Sequence, residues 1–197
     1  VVLAQPEENV IIVTREGMSI RFVSGSTRAR RRAAGGVKGI TLSGKDEVVA
    51  MDVAPEESRL LIATTRGKGK LSYLRHYRLQ GRSGKGVLAL RLTKGRDGTG
   101  KVAAAQVVGE PPSAESNDAD QVYLVTERAQ VITLPLDEVR QTGRVTQGVK
   151  LVDIQRGDAV SAIRVVGSRR PPAARVTEPV DPGDDIDNGS GGLESGV

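Results

Sequence analysis

Several residue types are missing or scarce in this chain of 197 residues, and each absence excludes a class of protein. There is no cysteine, which excludes a disulfide framework and a thiolate metal site and suits a reducing compartment. His76 is the single histidine, so a histidine-based metal centre has no second imidazole. No tryptophan, three tyrosines and one phenylalanine are too few for a platform that stacks the bases of single-stranded nucleic acid. No apolar run approaches the ~18 residues of a membrane span, and no signal peptide is visible. We therefore expect a cytoplasmic protein.

Positive charge is in excess, but it is unevenly distributed. The whole chain carries a net charge of +5, whereas residues 168–197 contain three basic and six acidic residues. The remaining residues 1–167 therefore carry a net charge of +8. A basic body with an acidic tail indicates a polyanionic partner, and the tail is expected to compete with that partner for the body.

A motif occurs three times with constant internal spacing. A short apolar segment ends in Thr, Arg follows 18 residues later, and Gly-Val begins four residues after the Arg. The three copies are Thr14, Arg32, Gly36 and Val37; Thr64, Arg82, Gly86 and Val87; and Thr126, Arg144, Gly148 and Val149. A repeat of roughly 50 residues is typical of propellers and solenoids, in which one supersecondary unit is arrayed.

Each repeat is expected to consist of four strands. In the first repeat, residues 10–13 and 18–22 predict a hairpin, and residues 37–42 and 48–53 predict a third and a fourth strand. The corresponding segments of the second repeat include residues 60–63, 87–92 and 102–107. The extra residues of the second repeat fall in 94–100, which we interpret as a lengthened hairpin tip. Four strands per unit is the content of a propeller blade.

The pattern divides the chain into three blades and their flanks. Pro6-Glu7-Glu8 matches Pro55-Glu56-Glu57, which follows the last strand of a blade, so residues 1–5 are expected to end a preceding blade. Since the chain begins with Val1, we expect it to be part of a longer protein. The predicted units are 1–5, the end of that blade; 6–54, 55–108 and 121–167, three blades; 109–120, a linker or an inter-blade loop; and 168–197, a disordered acidic tail.

Three segments resemble the C-terminal domain of the DNA gyrase A protein. They are residues 32–40 (RAAGGVKGI), 77–87 (YRLQGRSGKGV) and 143–151 (GRVTQGVKL), and they occur in the family's order, before an acidic tail. The resemblance extends over residues 1–167 and implies an all-β fold, a propeller-like β-pinwheel of four-stranded antiparallel blades, of which this chain holds about three. The family's functional box Gln-Arg-Arg-Gly-Gly-Lys-Gly is matched only by Gln80-Gly81-Arg82-Ser83-Gly84-Lys85-Gly86, which differs at Gly81 and Ser83. We do not assign the role of the box to this segment.

The resemblance implies a function in DNA topology. The family wraps duplex DNA without regard to sequence and supports ATP-dependent negative supercoiling by a bacterial type II topoisomerase. The cleavage tyrosine, ATP and Mg belong to other parts of that complex, so neither Tyr77 nor Tyr123 inherits the catalytic role. This chain is then non-catalytic and without a cofactor. Its implied partners are duplex DNA and, through absent domains, the gyrase B protein together with a second gyrase A protein. No membrane is implied, and the location is the cytoplasm, with the nucleoid.

Basic clusters recur in the same segment of successive repeats and are the candidates for phosphate contact. Candidate DNA-binding residues are Arg28, Arg30, Arg31, Arg32, Lys38, Lys68, Lys70, Arg75, Arg78, Arg82, Lys85, Arg140, Arg144 and Lys150. The repeated Arg32, Arg82 and Arg144 have a second interpretation, because a fixed position in every repeat also suits an arginine that ties its loop to a neighbouring blade. The irregular charges around them are the stronger candidates for DNA.

Two other functions remain open. One is the equivalent domain of topoisomerase IV, whose complex mainly decatenates DNA. The other is a propeller module that binds proteins through its loops, with the charge serving solubility. A stand-alone hydrolase has no catalytic constellation in this sequence to support it.

Overall fold

The computed structural model describes residues 2–27, 35–95, 97–109 and 120–167, and in these residues the protein is built from β-strands and three short 3-10 helices. The strands are β1 (Asn9–Thr14), β2 (Met18–Val23), β3 (Val48–Val53), β4 (Arg59–Thr64), β5 (Lys68–Tyr73), β6 (Val87–Leu88), β7 (Val102–Val108), β8 (Gln121–Thr126), β9 (Val131–Pro135), β10 (Val149–Lys150) and β11 (Val160–Val166). The 3-10 helices are Ser24–Ser26, Leu74–His76 and Leu136–Glu138. No helix in this part of the chain is long and apolar enough to cross a membrane.

The strands form three antiparallel sheets that follow one another along the chain. The strand orders are β3-β1-β2-β6, β10-β5-β4-β7 and β11-β8-β9. Each sheet is built on a hairpin, β1-β2, β4-β5 or β8-β9, and the last strand of the same repeat pairs with the first strand of the hairpin. The expected array of three β-blades is therefore confirmed.

The third strand of each repeat differs from the sequence-based expectation. The strand expected over 87–92 is reduced to β6, and β6 pairs with β2 of the preceding repeat rather than with its own hairpin. In the same way β10 of the third repeat pairs with β5 of the second. Residues 37–42 are not in a strand, and the third sheet has three strands. Successive blades are thus linked by a donated strand.

The described residues before the first repeat lie outside any strand. The sequence predicts that residues 1–5 end a preceding blade; of these the structure describes residues 2–5, and Leu3 is 92% exposed. Ala4 packs against the apolar cluster of the first blade.

The hydrophobic core lies between the blades and explains the continuous apolar runs of β1 and β4. In β4, Leu60 and Ile62 pack against residues of the first blade, whereas Leu61 and Ala63 pack against residues of the third. Both faces of this strand are therefore buried, which an alternating polar-apolar pattern would not permit. The first two hairpins therefore lie between two apolar clusters, whereas the buried residues of the third belong to one cluster.

Candidate nucleic-acid interface

The repeated arginine lies at the junction between consecutive blades. Arg82 donates from Nη1 to the carbonyl of Lys38 (3.2 Å) and from Nε to the carbonyl of Ser26 (3.3 Å). Arg144 donates from Nη1 to the carbonyl of Leu88. Lys38 and Leu88 both lie 24 residues after the Thr of their own repeat, so the two arginines make the same bond one blade apart. This geometry supports the structural interpretation of the repeated arginine.

The glycine of the motif lets the donated strand approach its acceptor. Gly86 and Gly148 have φ values of +77° and +74°, in the left-handed region where side chains are disfavoured. A Cβ on Gly86 would lie 2.2 Å from the carbonyl oxygen of Ser19, and one on Gly148 would lie 2.6 Å from that of Gly69. In the second and third repeats, the motif Arg-x-x-x-Gly-Val therefore joins the blade to the one before it.

Lys70 is part of a junction and is not a surface cation, contrary to its place among the candidates. Its side chain is fully buried in β5, and Nζ donates to the carbonyls of Gly143 (2.9 Å) and Arg144. Burial, and then the positive charge of Arg144, lower the pKa of Lys70 to about 8. Because the buried ammonium group donates to two carbonyls of the Arg144 loop, Lys70 is not available to contact a DNA phosphate.

Three other candidates have partners near the surface. Lys68 donates from Nζ to the carbonyl of Asp97 (2.7 Å), which lies in the predicted hairpin tip 94–100. The guanidinium of Arg75 lies 4.1 Å from the centre of the Tyr73 ring. Lys150 is paired with Asp153 at 2.7 Å. The contacts of Lys68 and Arg75 fix the positions of these side chains, and the ion pair of Lys150 partly neutralises its charge.

Among the candidates, the exposed cations without such partners are Lys38, Arg78, Lys85 and Arg140. In the described part of the chain, no side-chain hydrogen bond or ion pair holds any of the four. Arg78 and Arg140 each lie 14 residues after the Thr of their repeat, and each follows a 3-10 helix, Leu74–His76 or Leu136–Glu138. An arginine therefore recurs 14 residues after the Thr of every repeat, and Arg28 is the first copy. The dense charge around these positions conceals this spacing in the sequence.

Backbone contacts bring these four residues to the junctions. The carbonyl of Arg140 accepts from the Leu71 amide (3.2 Å). Two residues after Arg78, the Gln80 amide donates to the carbonyl of Arg21 (2.8 Å). Lys38 supplies the carbonyl that Arg82 holds, and Lys85 precedes Gly86. Free positive charge therefore recurs at the same edge of successive blades.

Several predicted features lie outside the described residues. They are Arg28, Arg30, Arg31 and Arg32, most of the predicted linker 109–120, and the predicted tail 168–197. His76 is exposed, and its ring meets that of Tyr73 edge-on with centroids 6.1 Å apart. Within the described ranges, no group of three or more His, Cys, Asp or Glu side chains is placed to hold a metal ion.

Comparison with known proteins gives consistent matches. The DNA gyrase A protein of Kosmotoga olearia is 41% identical over 162 residues, which is 81% of this chain and 19% of that protein. The DNA gyrase A protein of Dehalogenimonas lykanthroporepellens is 39% identical over 165 residues, again 81% of this chain and 19% of the relative. This chain thus spans about a fifth of the length of these relatives.

Solved structures show the same fold. The C-terminal domain of DNA gyrase A has a TM-score of 0.70 at 21% identity and covers 83% of this chain and 52% of its own. The C-terminal domain of DNA topoisomerase IV has a TM-score of 0.70 at 23% identity, with 82% and 47% covered. The family described as "DNA gyrase C-terminal domain, beta-propeller" matches residues 8–55, 58–108 and 120–167, which are the three repeats. The chain therefore belongs to the DNA gyrase C-terminal domain family.

Proposed function

We propose that this chain binds duplex DNA through its phosphates and wraps it along the edge formed by the blade junctions, as the C-terminal part of a gyrase A protein. The observation that carries the proposal is the pair Arg78 and Arg140. Both are exposed, both are free of side-chain partners, and they occupy the same position in consecutive blades. Lys38 and Lys85 add charge to the same edge. An arginine fork that no protein group holds is available to two phosphate oxygens.

Binding of this kind is independent of sequence and sensitive to salt. The described residues contain no α-helix that could enter the major groove, and the available contacts are charges rather than a base-reading surface. Each phosphate that a cation neutralises releases condensed counterions, so affinity falls steeply as salt rises. Bending the duplex costs of order 1–6 kcal/mol per 20–30 bp, which repeated contacts along successive blades would offset.

Gyrase is favoured over topoisomerase IV because the relatives at 39–41% identity are gyrase A proteins. In that setting the wrapped duplex presents a second segment to the cleavage gate as a positive crossing, and strand passage yields negative supercoils. We propose that cleavage, ATP and Mg act in other parts of the complex, which also hold the contacts to the gyrase B protein and to the second gyrase A protein. This chain then supplies binding and curvature without a cofactor of its own.

The test is the binding of a fluorescent duplex, followed by anisotropy at several salt concentrations. We expect the Arg78→Ala/Arg140→Ala double variant to lose affinity on duplexes of any sequence. The slope of log affinity against log salt should become shallower by roughly 1–2, since each lost phosphate contact contributes about 0.9. The matched control is Arg156→Ala/Arg164→Ala, which removes two exposed charges from the last turn and from β11. Equal losses in the two double variants would refute a specific edge and leave only general attraction.

A further inference from the structure

The third sheet differs from the other two at one edge. In the first two sheets the second hairpin strand, β2 or β5, accepts a donated strand from the following repeat. The equivalent strand β9 has β8 as its neighbour and no partner on its other side among the described residues. Val131 on β9 is 63% exposed. An unpaired strand edge is a template for pairing with another chain.

The three hairpin turns have the same geometry but not the same residue. The amide three residues after the repeated Thr donates to the carbonyl of that Thr at 3.0 Å in every case, from Gly17, Gly67 and Ala129. The following amide donates to the Thr hydroxyl oxygen at 3.2 Å in all three turns. The φ values of Gly17, Gly67 and Ala129 are +80°, +72° and +61°. The third turn therefore places an alanine where left-handed backbone favours glycine.

This alanine stands where an incoming strand would pass. The carbonyl of Gly17 accepts from the amides of Ala89 (2.7 Å) and Leu90 (3.2 Å), and the carbonyl of Gly67 accepts from Leu151 (2.8 Å) and Val152 (3.2 Å). These bonds anchor the residues that follow each donated strand.

The anchored segments leave no room for a methyl group. A Cβ on Gly17 would lie 2.6 Å from the Leu90 carbonyl oxygen, and one on Gly67 would lie 2.5 Å from that of Val152. Ala129 carries this Cβ. A strand that approached β9 in the register used by β6 and β10 would therefore collide with it.

We propose that Ala129 is a stop residue, which prevents the edge of β9 from accepting the segment Gly36-Val37-Lys38 of a second copy of this chain. A residue held in an unfavourable backbone region suggests a function that compensates for the strain. Here the function is to end the array. Without the Ala129 methyl group, head-to-tail pairing of copies would be a heterologous contact that does not close and would grow into chains.

The segment that would be accepted is present in the same molecule. Gly36, Val37 and Lys38 correspond to the donated Gly86-Val87-Leu88, but they are not in a strand, and a Cβ on Gly36 would meet nothing within 4 Å. The residues that follow this segment make the same backbone hydrogen bond as those of the next repeat. The Thr41 amide donates to the Gly84 carbonyl (2.8 Å), as Arg91 donates to Thr146 (3.0 Å). In a second copy of this chain the same segment is outside any strand, and the register of the other two junctions would place Val37 opposite Val131.

The experiment compares the molar mass of the full chain and its variants in solution over a wide range of concentrations, by light scattering after gel filtration. The wild type is expected to remain a single copy. Ala129→Gly should associate, with a mass that rises at least twofold with concentration. Ala129→Asn is the matched control: asparagine tolerates left-handed backbone but keeps Cβ, so this variant should remain a single copy.

A second variant identifies the donor. Adding Gly36→Val to Ala129→Gly should abolish association, because valine cannot take the positive φ that Gly86 and Gly148 adopt at their junctions. The proposal is overturned if the wild type already associates in this way, if Ala129→Gly remains a single copy, if Ala129→Asn associates as strongly as Ala129→Gly, or if the double variant still associates. Circular dichroism of each variant establishes that the blades are folded. If a variant does not fold, association of the wild type would still overturn the proposal.

Discussion

Replacement of Gly148 by alanine tests whether pairing of the donated strand β10 with β5 stabilises the fold. Gly148 has a φ of +74°, and a Cβ there would lie 2.6 Å from the carbonyl oxygen of Gly69 and 2.9 Å from its carbonyl carbon. Both are backbone atoms of β5, so neither can rotate away as a flexible side chain would. Relief requires β10 to move off the edge of β5.

The expected cost combines backbone strain with lost pairing. Left-handed backbone costs a non-glycine residue roughly 1–2 kcal/mol. Displacement of the donated strand also weakens the bonds from Leu151 and Val152 to the Gly67 carbonyl, each worth about 1 kcal/mol net. We expect Gly148→Ala to lower the free energy of unfolding by about 3 kcal/mol, or the melting temperature by roughly 6–12 °C.

The same chain provides the control for this prediction. Gly36 holds the same motif position, but a Cβ there meets nothing within 4 Å and its φ is not in the left-handed region. Gly36→Ala should be neutral or stabilising, by up to about 1 kcal/mol, because alanine restricts the unfolded chain. Urea denaturation of both variants gives the comparison. Equal effects at the two positions would refute the assignment of Gly148 to a strand-donation contact.

Two further predictions concern the junction between the second and third blades. Arg144→Lys removes the guanidinium donor to the Leu88 carbonyl, and should lower the free energy of unfolding by about 1–2 kcal/mol in urea titrations, whereas Arg140→Lys should not change it. The depressed pKa of Lys70, about 8 in the folded chain against 10.5 unperturbed, means that the unfolded chain binds more protons between these values. Stability should therefore rise with pH from 8 to 10, by at most about 1.4 kcal/mol per unit, and this rise should be absent in Lys70→Met. The range ends near pH 10 because burial raises the pKa of Tyr77 to about 12, so ionisation of this tyrosine in the unfolded chain then lowers stability.

The hairpins could be predicted from the sequence, but the partner of the third strand could not. The apolar runs of β1 and β4 predict buried strands, and Gly17 and Gly67 predict the turns that follow them. Both predictions depend on the local sequence alone. The pairing of β6 depends on which sheet edge is free nearby, and an apolar pattern carries no information about that. The pattern predicts a strand over residues 87–92 but not that the hairpin of the preceding repeat accepts it.

The sequence marks the basic segments but not the environment of each side chain. The described basic segments lie at the blade junctions, yet Lys70 is buried inside one because its neighbouring carbonyls come from a loop more than 70 residues away. The spacing of 18 identified Arg82 and Arg144 as special without deciding what they hold. The spacing of 14, which Arg78 and Arg140 share, is equally visible in the sequence, but the dense charge around these positions conceals it.

The central claim, that the chain wraps duplex DNA, is tested most directly by the linking number of a plasmid. A nicked circular plasmid is sealed by ligase in the presence of the chain, the protein is removed, and the topoisomers are separated on gels containing an intercalator. Wrapping with a positive crossing predicts a shift to positive linking difference that grows with the amount of chain and is lost in Arg78→Ala/Arg140→Ala. A topoisomer distribution identical to that of plasmid sealed without protein, at concentrations where anisotropy shows binding, would contradict wrapping.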